Sequence, residues 1–487
     1  MAHDFPGDSI PTSQNQSYVK SGNRRVVDVE QDFENLPEYG DRNAVVFPQA
    51  FKEGYYDDLL HNHLQGIQRL DDGEFFVYSG GVKDLKIGNL IFIKYTCPHH
   101  HPTNSKTLLK GPVASNMWEG VQSLTINPEC HIYKLTDGDY WHVGGISSMG
   151  DVLVAAVEDE NDPQAKSRIL FINVEDPYSP YVYEKHIDRD PDHKCGAATA
   201  IKLSDGRILC ACWTDSGDPF NDSSKVHRMD FYISQDQHVN SDYTHVKRIF
   251  YKDITNRKSH SGRGSYRYPA FQSIQFIQQE NGEIYLIGMF NTSSIGGGKN
   301  KAYLFKVELD NSPEIVQDVT YIKDHEFFSD SRFYNMAAGG CVYVNSYKEL
   351  TLYGTPYRIR NRREISFAEF CVPMKKPLPK ITDRSHSRIE LYSDPNYKGP
   401  YLKIIGDKYT AIPDFNDYQY GGKRLDNAVS STRFIIPEND KYLLHNRPFW
   451  TRRSNDKIYK LVGTGEVVEK NQFPPTYDSI ASSSKYE

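Results

Sequence analysis

One unit recurs along this chain and limits what it can fold into. A strand rich in small residues is followed by a tight turn, an apolar strand and one or two outer strands. The first copy reads HLQGIQRL from His63, then EFFVYSG and NLIFIKY. The second reads WHVGGISSM from Trp141, then VLVAAVED, SRILFINV and YVYEKHI. The third opens CGAATAIKL at Cys195, the fourth AFQSIQFI at Ala270 and the fifth NMAAGGCVYV at Asn335. These starts lie on average about 70 residues apart, room for one four-stranded blade with generous loops.

The unit has a radial logic. Innermost strands crowd around an axis and need Gly, Ala and Ser. Second strands are packed between blades and are continuously apolar, as in VLVAAV and IYLIGMF. Between first and second strands stand D-D-G, S-D-G and E-N-G, typical hairpin chemistry. The chain is therefore expected to be all-β: a β-propeller over 46–380, five-bladed, with six blades as the alternative because Cys97–Gly138 has room for another. A pair of β-sandwiches is the competing architecture. A polar N-terminal arm (1–45) precedes the propeller, a second β domain (387–470) follows it, and 471–487 reads as a flexible tail.

Charge and cysteine usage exclude several classes. The net charge of −7 over 487 residues argues against nucleic acid as a partner. No run of about 18 apolar residues predicts a membrane helix, so no membrane partner is expected. The first residues lack the apolar core of a signal peptide, so a cytoplasmic location is expected, with unconventional secretion open. The seven Cys are scattered without a C-x-x-C pair, which argues against a disulfide framework or a zinc ribbon.

Polar residues on inner strands are the first candidates for a site, because those strands converge on the axis. His63 and His142 occupy matching places, H-L-Q-G-I and H-V-G-G-I, so two imidazoles are expected around one axial cavity, for ligand binding or general acid–base work. Gln65, Gln272 and Asn335 are the accompanying ligand-binding candidates. Arg189, in H-I-D-R-D-P-D-H, either clamps an anion or pairs with Asp188 or Asp190. The inner strands carry no Asp or Glu, which counts against a carboxylate glycosidase; acids such as Glu158 and Asp159 stand at strand ends. The triplet His99–His101 and the P-P-T-Y of Pro474–Tyr477 are weaker signals.

The region from Ser387 differs. Tyr392, Tyr397 and Gly399 form Tyr-x-x-x-x-Tyr-x-Gly, and Asp426–Ser431 reads DNAVSS. Together, in this order, the motifs resemble the βγ-crystallin Greek-key family. The resemblance implies Ca²⁺ held by oxygens of Asp426, Asn427 and Ser430, hard donors that suit that ion. The second half of the region lacks both motifs, so one site at most is implied. The H-V-G-G-I strand also looks like bacterial propeller proteins, some of which alkylate aromatic metabolites and bind calcium. The expected function is a calcium-binding propeller that takes a small-molecule or macromolecular ligand at its axial mouth. The alternative is a calcium-dependent alkylating enzyme of specialised metabolism that uses the paired histidines.

Overall fold

The computed structural model describes most of residues 24–46, 62–95 and 129–371, the short stretches 9–13, 18–19 and 123–126, and the strands between 387 and 486; the longer segments outside it are 47–61, 96–122, 215–226, 259–267 and 372–386. Among the described residues, five inner strands each begin a blade: Asn62–Arg69, His142–Met149, Ala197–Lys202, Ser273–Gln279 and Gly340–Val344. The first four run outward through antiparallel neighbours in chain order. The fifth continues through Leu350–Gly354 and Glu364–Cys371. Val45 lies in one core cluster with Tyr353, Ile365 and Phe367, so the ring closes on itself. Of the stretch considered for a sixth blade, the described residues supply Cys130–Asp137, the outer strand of the first blade, and the short strand Ser123–Ile126.

The sequence pattern maps directly onto this ring. Second strands Val152–Glu158, Ile208–Thr214 and Ile284–Asn291 are buried at every position, as strands covered on both faces must be. Large aromatics fill the wedge between the third and fourth blades, where Trp213 meets Phe271 edge-on at 4.7 Å. Each such side chain contributes about 1.5–3 kcal/mol through burial. Nearer the axis there is no room. A Cβ at Gly144 would lie 2.3 Å from the Gly196 carbonyl, and one at Gly145 2.2 Å from the Gln272 carbonyl.

The inner strands of the second and third blades pair in parallel at Gly145 and Ala197, and facing amides elsewhere around the ring take other partners. Small polar side chains supply them. Thr199 Oγ1 accepts from Phe276 N at 3.1 Å, Ser273 Oγ from Gly340 N at 2.8 Å and Gln275 Oε1 from Val342 N at 2.8 Å. Ser79 Oγ donates to the Gly144 carbonyl at 2.7 Å. These polar residues stitch blade to blade.

The polar N-terminal segment is not a free arm. Its described parts touch each of the five blades. Ile10 N donates to the Lys134 carbonyl, and Thr12–Ser13 pairs in parallel with Val182–Tyr183. Val19 is buried, and its carbonyl accepts from Lys202 Nζ at 3.3 Å. Arg25–Val26 adds in parallel to Gln278–Gln279 at the end of the fourth inner strand. The helix Val29–Glu34 starts where the Asp28 carboxylate caps Gln31 N, and its buried Asp32 accepts from Leu350 N at 3.1 Å. The apolar anchors Ile10, Val19, Val26, Val29 and Phe33 explain why so polar a segment packs.

The C-terminal unit, Pro373–Glu487 with two short upstream pieces, is compact in itself. It holds two antiparallel four-stranded sheets. One joins Ser387–Asp394, Lys398–Gly406 and Ser431–Ile435 with Val467–Lys470. The other joins Lys441–His445, Ile458–Val462 and Ser483–Tyr486 with Ala411–Ile412. Each half thus lends one strand to the other's sheet. Within the expected flexible tail, Ser483–Tyr486 pairs with Lys441–His445.

Candidate functional site

The inner strands of the first two blades bring His63 and His142 together at their first turns of chain, with ring centroids 6.5 Å apart. Antiparallel register sets Glu158 directly opposite His142. Side chains opposite one another share a face, so the two meet: Glu158 Oε1 lies 3.5 Å from His142 Nδ1, both nine-tenths or more buried. The other carboxylate oxygen accepts from Cys195 N at 2.7 Å. Burial alone would raise the Glu158 pKa, but the His142 contact, the Cys195 amide and the Lys194 charge together hold it below the usual carboxylate range. Glu158 is therefore ionised at neutral pH and orients the His142 ring, favouring hydrogen on Nδ1.

Neighbouring groups lock this pair in place. The Trp141 indole donates to Asp159 Oδ1 at 3.0 Å, and Lys86 Nζ lies 3.5 Å from Oδ2. The Trp141 carbonyl and ring cover Gly81, where a Cβ would lie 2.6 Å from that carbonyl oxygen. Across the site, Gln65 Nε2 donates to His63 Nδ1 at 2.8 Å, and the His63 ring stacks on Tyr357 at 5.5 Å. Gln65 is 4% exposed and His142 6%. Yet Gln65 Oε1 and both ring nitrogens of His142 have no hydrogen-bond partner among the described residues. His63 keeps intermediate exposure and carries the site towards the surface.

The other sequence candidates serve the fold. Arg189 does not pair with Asp188, which is bound by Arg168 and His186, and Asp190 lies outside the described residues. Its guanidinium is buried against the Asp230 carboxylate, the Lys194 carbonyl, Thr214 Oγ1 and the Tyr232 hydroxyl, which removes it from the catalytic set. Asn335 Oδ1 accepts from Ala337 N at 2.9 Å and so shapes the turn before the fifth inner strand. Gln272 acts through its backbone: its N–H donates to the Met289 carbonyl, and its own carbonyl abuts Gly145. Asp426, Asn427 and Ser430, with His99–His101 and Pro474–Tyr477, lie outside the described residues. Among those described, no group of three His, Cys, Asp or Glu is placed to hold a metal ion. The residue that the inner-strand reading passed over is Glu158. The signal for it was register: the last residue of a second strand faces the first residue of the strand before it.

The opposite ends of the same inner strands are closed differently. A cavity of about 50 Å³ is bounded there by Ser148–Gly150, Ala200–Ile201, Gln275–Gln278, Val342–Val344 and Arg24. Arg24 Nη1 donates to the Tyr343 hydroxyl at 3.0 Å and the Val344 carbonyl at 2.8 Å, and its guanidinium lies 5.0 Å from the Tyr343 ring.

No family model matches the chain, and no curated protein does. Among solved structures, the chain is similar to the family-32 glycoside hydrolase β-fructofuranosidase of Bombyx mori, at 10% identity and a TM-score of 0.37 over 94% of this chain and 93% of that one. It is also similar to a thermostable family-43 glycoside hydrolase, at 9% identity and a TM-score of 0.37 over 65% of this chain and 91% of that one. A third is an exo-1,5-α-L-arabinanase from a bovine ruminal metagenomic library, at 10% identity and a TM-score of 0.33 over 65% and 96%. Likenesses this distant assign no activity. The expected βγ-crystallin membership does not hold, since no family model supports it. Its two motifs are built from Tyr, Gly, Asp, Asn and Ser, the residue types that hairpins and turns use generally. What stands is an all-β chain whose larger unit is a five-bladed propeller with a polar cluster at one end of its axis.

Proposed function

We propose that this protein binds a small molecule at the end of the propeller axis formed by His63, Gln65 and His142. One observation carries the reading: Gln65 Oε1 and both ring nitrogens of His142 lie buried in one cluster without hydrogen-bond partners among the described residues. An unmet buried acceptor costs about 1–3 kcal/mol, so keeping two in one place is explained by a ligand that meets them. Native mass spectrometry of the purified protein tests this. A retained small molecule in the wild type, lost in Gln65→Met and His142→Gln, is the expected result. Spectra of wild type and both variants that are identical, each showing protein alone, would count against it.

A second reading rests on the Glu158–His142 pair. A buried carboxylate that holds an imidazole in one tautomer is also how a general base is prepared. In this reading His142 takes a proton from a bound ligand. A turnover assay on the co-purified molecule separates binding from catalysis, because Glu158→Gln would then lower the rate while binding persists. Calcium binding by Asp426, Asn427 and Ser430 remains a separate proposal, supported by the oxygen-donor chemistry of those side chains. A calcium-induced rise in melting temperature that disappears in Asp426→Ala is its test, and a rise that survives the substitution contradicts it.

A further inference from the structure

We infer that the axial ligand is a neutral, hydroxyl-bearing molecule that donates hydrogen bonds to the site; the inference rests on the small-molecule reading above. The polarity of the cluster points there. Gln65 Nε2 is committed to His63 Nδ1, which fixes the amide so that its oxygen is the uncommitted atom. Glu158 Oε1 lies 3.5 Å from His142 Nδ1 without a formed hydrogen bond, and the field of its carboxylate favours the neutral tautomer with hydrogen on that nitrogen, which leaves Nε2 as the acceptor. Both uncommitted buried atoms therefore accept, and the complementary ligand must donate.

Three other ligand classes fit less well. An anion would set its own lone pairs against two acceptors, close to a carboxylate that is ionised at neutral pH. A cation would seek that carboxylate, but its oxygens face His142 and the Cys195 amide. A metal ion finds no group of three ligating side chains among the described residues. A hydroxyl donates its hydrogen without bringing charge into a site where Gln65 and His142 are more than nine-tenths buried. Two hydroxyls on one carbon skeleton serve two acceptors at once.

Saturation-transfer NMR on the full-length protein tests the inference with defined probes: erythritol, myo-inositol and glucose as polyols, inorganic phosphate and acetate as anions, methylammonium as a cation. The expected result is transfer to at least one polyol, reduced at least five-fold in both Gln65→Met and His142→Gln and unchanged in Arg24→Ala at the other end of the axis. Transfer to phosphate, acetate or methylammonium instead, with the same sensitivity to the two substitutions, overturns the hydroxyl inference and leaves the axial site in place. Absence of any probe response that depends on Gln65 or His142 overturns the inference and the site together.

Discussion

Two buried polar clusters sit in neighbouring blades and are built in opposite ways. In the third blade, Asp230 lies fully buried among Arg189, Arg228 and Arg248, with His245 at its edge. Its carboxylate is held far below the usual range; burial opposes this, but the His245 contact and the two arginines Arg189 and Arg248 outweigh it. Arg189 reaches from the segment before the third inner strand and gathers the Lys194 carbonyl, Thr214 and Tyr232 onto the same group. Both oxygens of the Asp230 carboxylate are met, Oδ2 by Arg189 and Arg228 and Oδ1 by Arg248 and His245, although the ring nitrogens of neighbouring His193 have no hydrogen-bond partner among the described residues. At the axis, Gln65 Oε1 and both ring nitrogens of His142 are buried without hydrogen-bond partners among the described residues, so there the unmet atoms belong to the central residues themselves.

This contrast can be broken or sharpened by substitution and by pH. The largest effect is expected at Asp230. Asp230→Ala leaves Arg189 and Arg228 buried without that counter-charge and should cost about 3–5 kcal/mol in urea unfolding. A loss below about 1 kcal/mol would mean the cluster is not structural.

Acid gives the next largest effect. Burial pushes the His227 pKa down to about 4, although a hydrogen bond to the Pro269 carbonyl opposes it. A histidine depressed in this way stabilises the folded state fully above its ordinary value near 6.5, and that stability is lost as pH falls from there to about 4, by about 3 kcal/mol. Glu158 and Asp230, both lowered, behave as carboxylates: their contribution is present above the ordinary carboxylate range and is lost only as pH falls below it. Urea midpoints between pH 7 and pH 4 should therefore fall in the wild type and fall less in His227→Gln, where the remaining loss comes from His193 and His325, both also held below the ordinary value by burial. Parallel curves would assign the loss to other groups.

A smaller effect is expected at the far end of the axis. Arg24→Ala removes two hydrogen bonds and a cation–π contact and should cost about 1–2 kcal/mol, read as a lower melting temperature. Axial ligand binding should not change. A loss of binding would join the two ends functionally and break the contrast between them.

Much of the ring was legible in the sequence, and the reasons are local. Small residues such as those of His142–Met149 mark a strand that others approach closely, and VLVAAV marks one covered on both faces. Matched positions in two repeats placed His63 beside His142 without any structure. Long-range pairing was not legible. Arg189 finds Asp230, 41 residues away, in preference to the acids beside it. Inner-strand polarity was ambiguous as well: Gln65 faces the site, while Gln275, on another blade, stitches two strands together. The N-terminal segment misled because its anchors, Ile10, Val19, Val26 and Phe33, are single apolar residues in polar surroundings and carry no periodic signal.

The unfolding free energy of the Gln65→Met/His142→Gln double variant, set beside that of Asp230→Ala in the same urea series, is the most direct test. Methionine matches the glutamine in shape without its acceptor, and the new glutamine keeps a donor for Glu158, so neither change leaves a fresh buried charge unpaired. If the axial cluster exists for a ligand, the double variant stays within about 1 kcal/mol of wild type while Asp230→Ala loses at least about 3 kcal/mol. A double variant as unstable as Asp230→Ala would show that the axial histidines hold the propeller together and are not held open for a ligand.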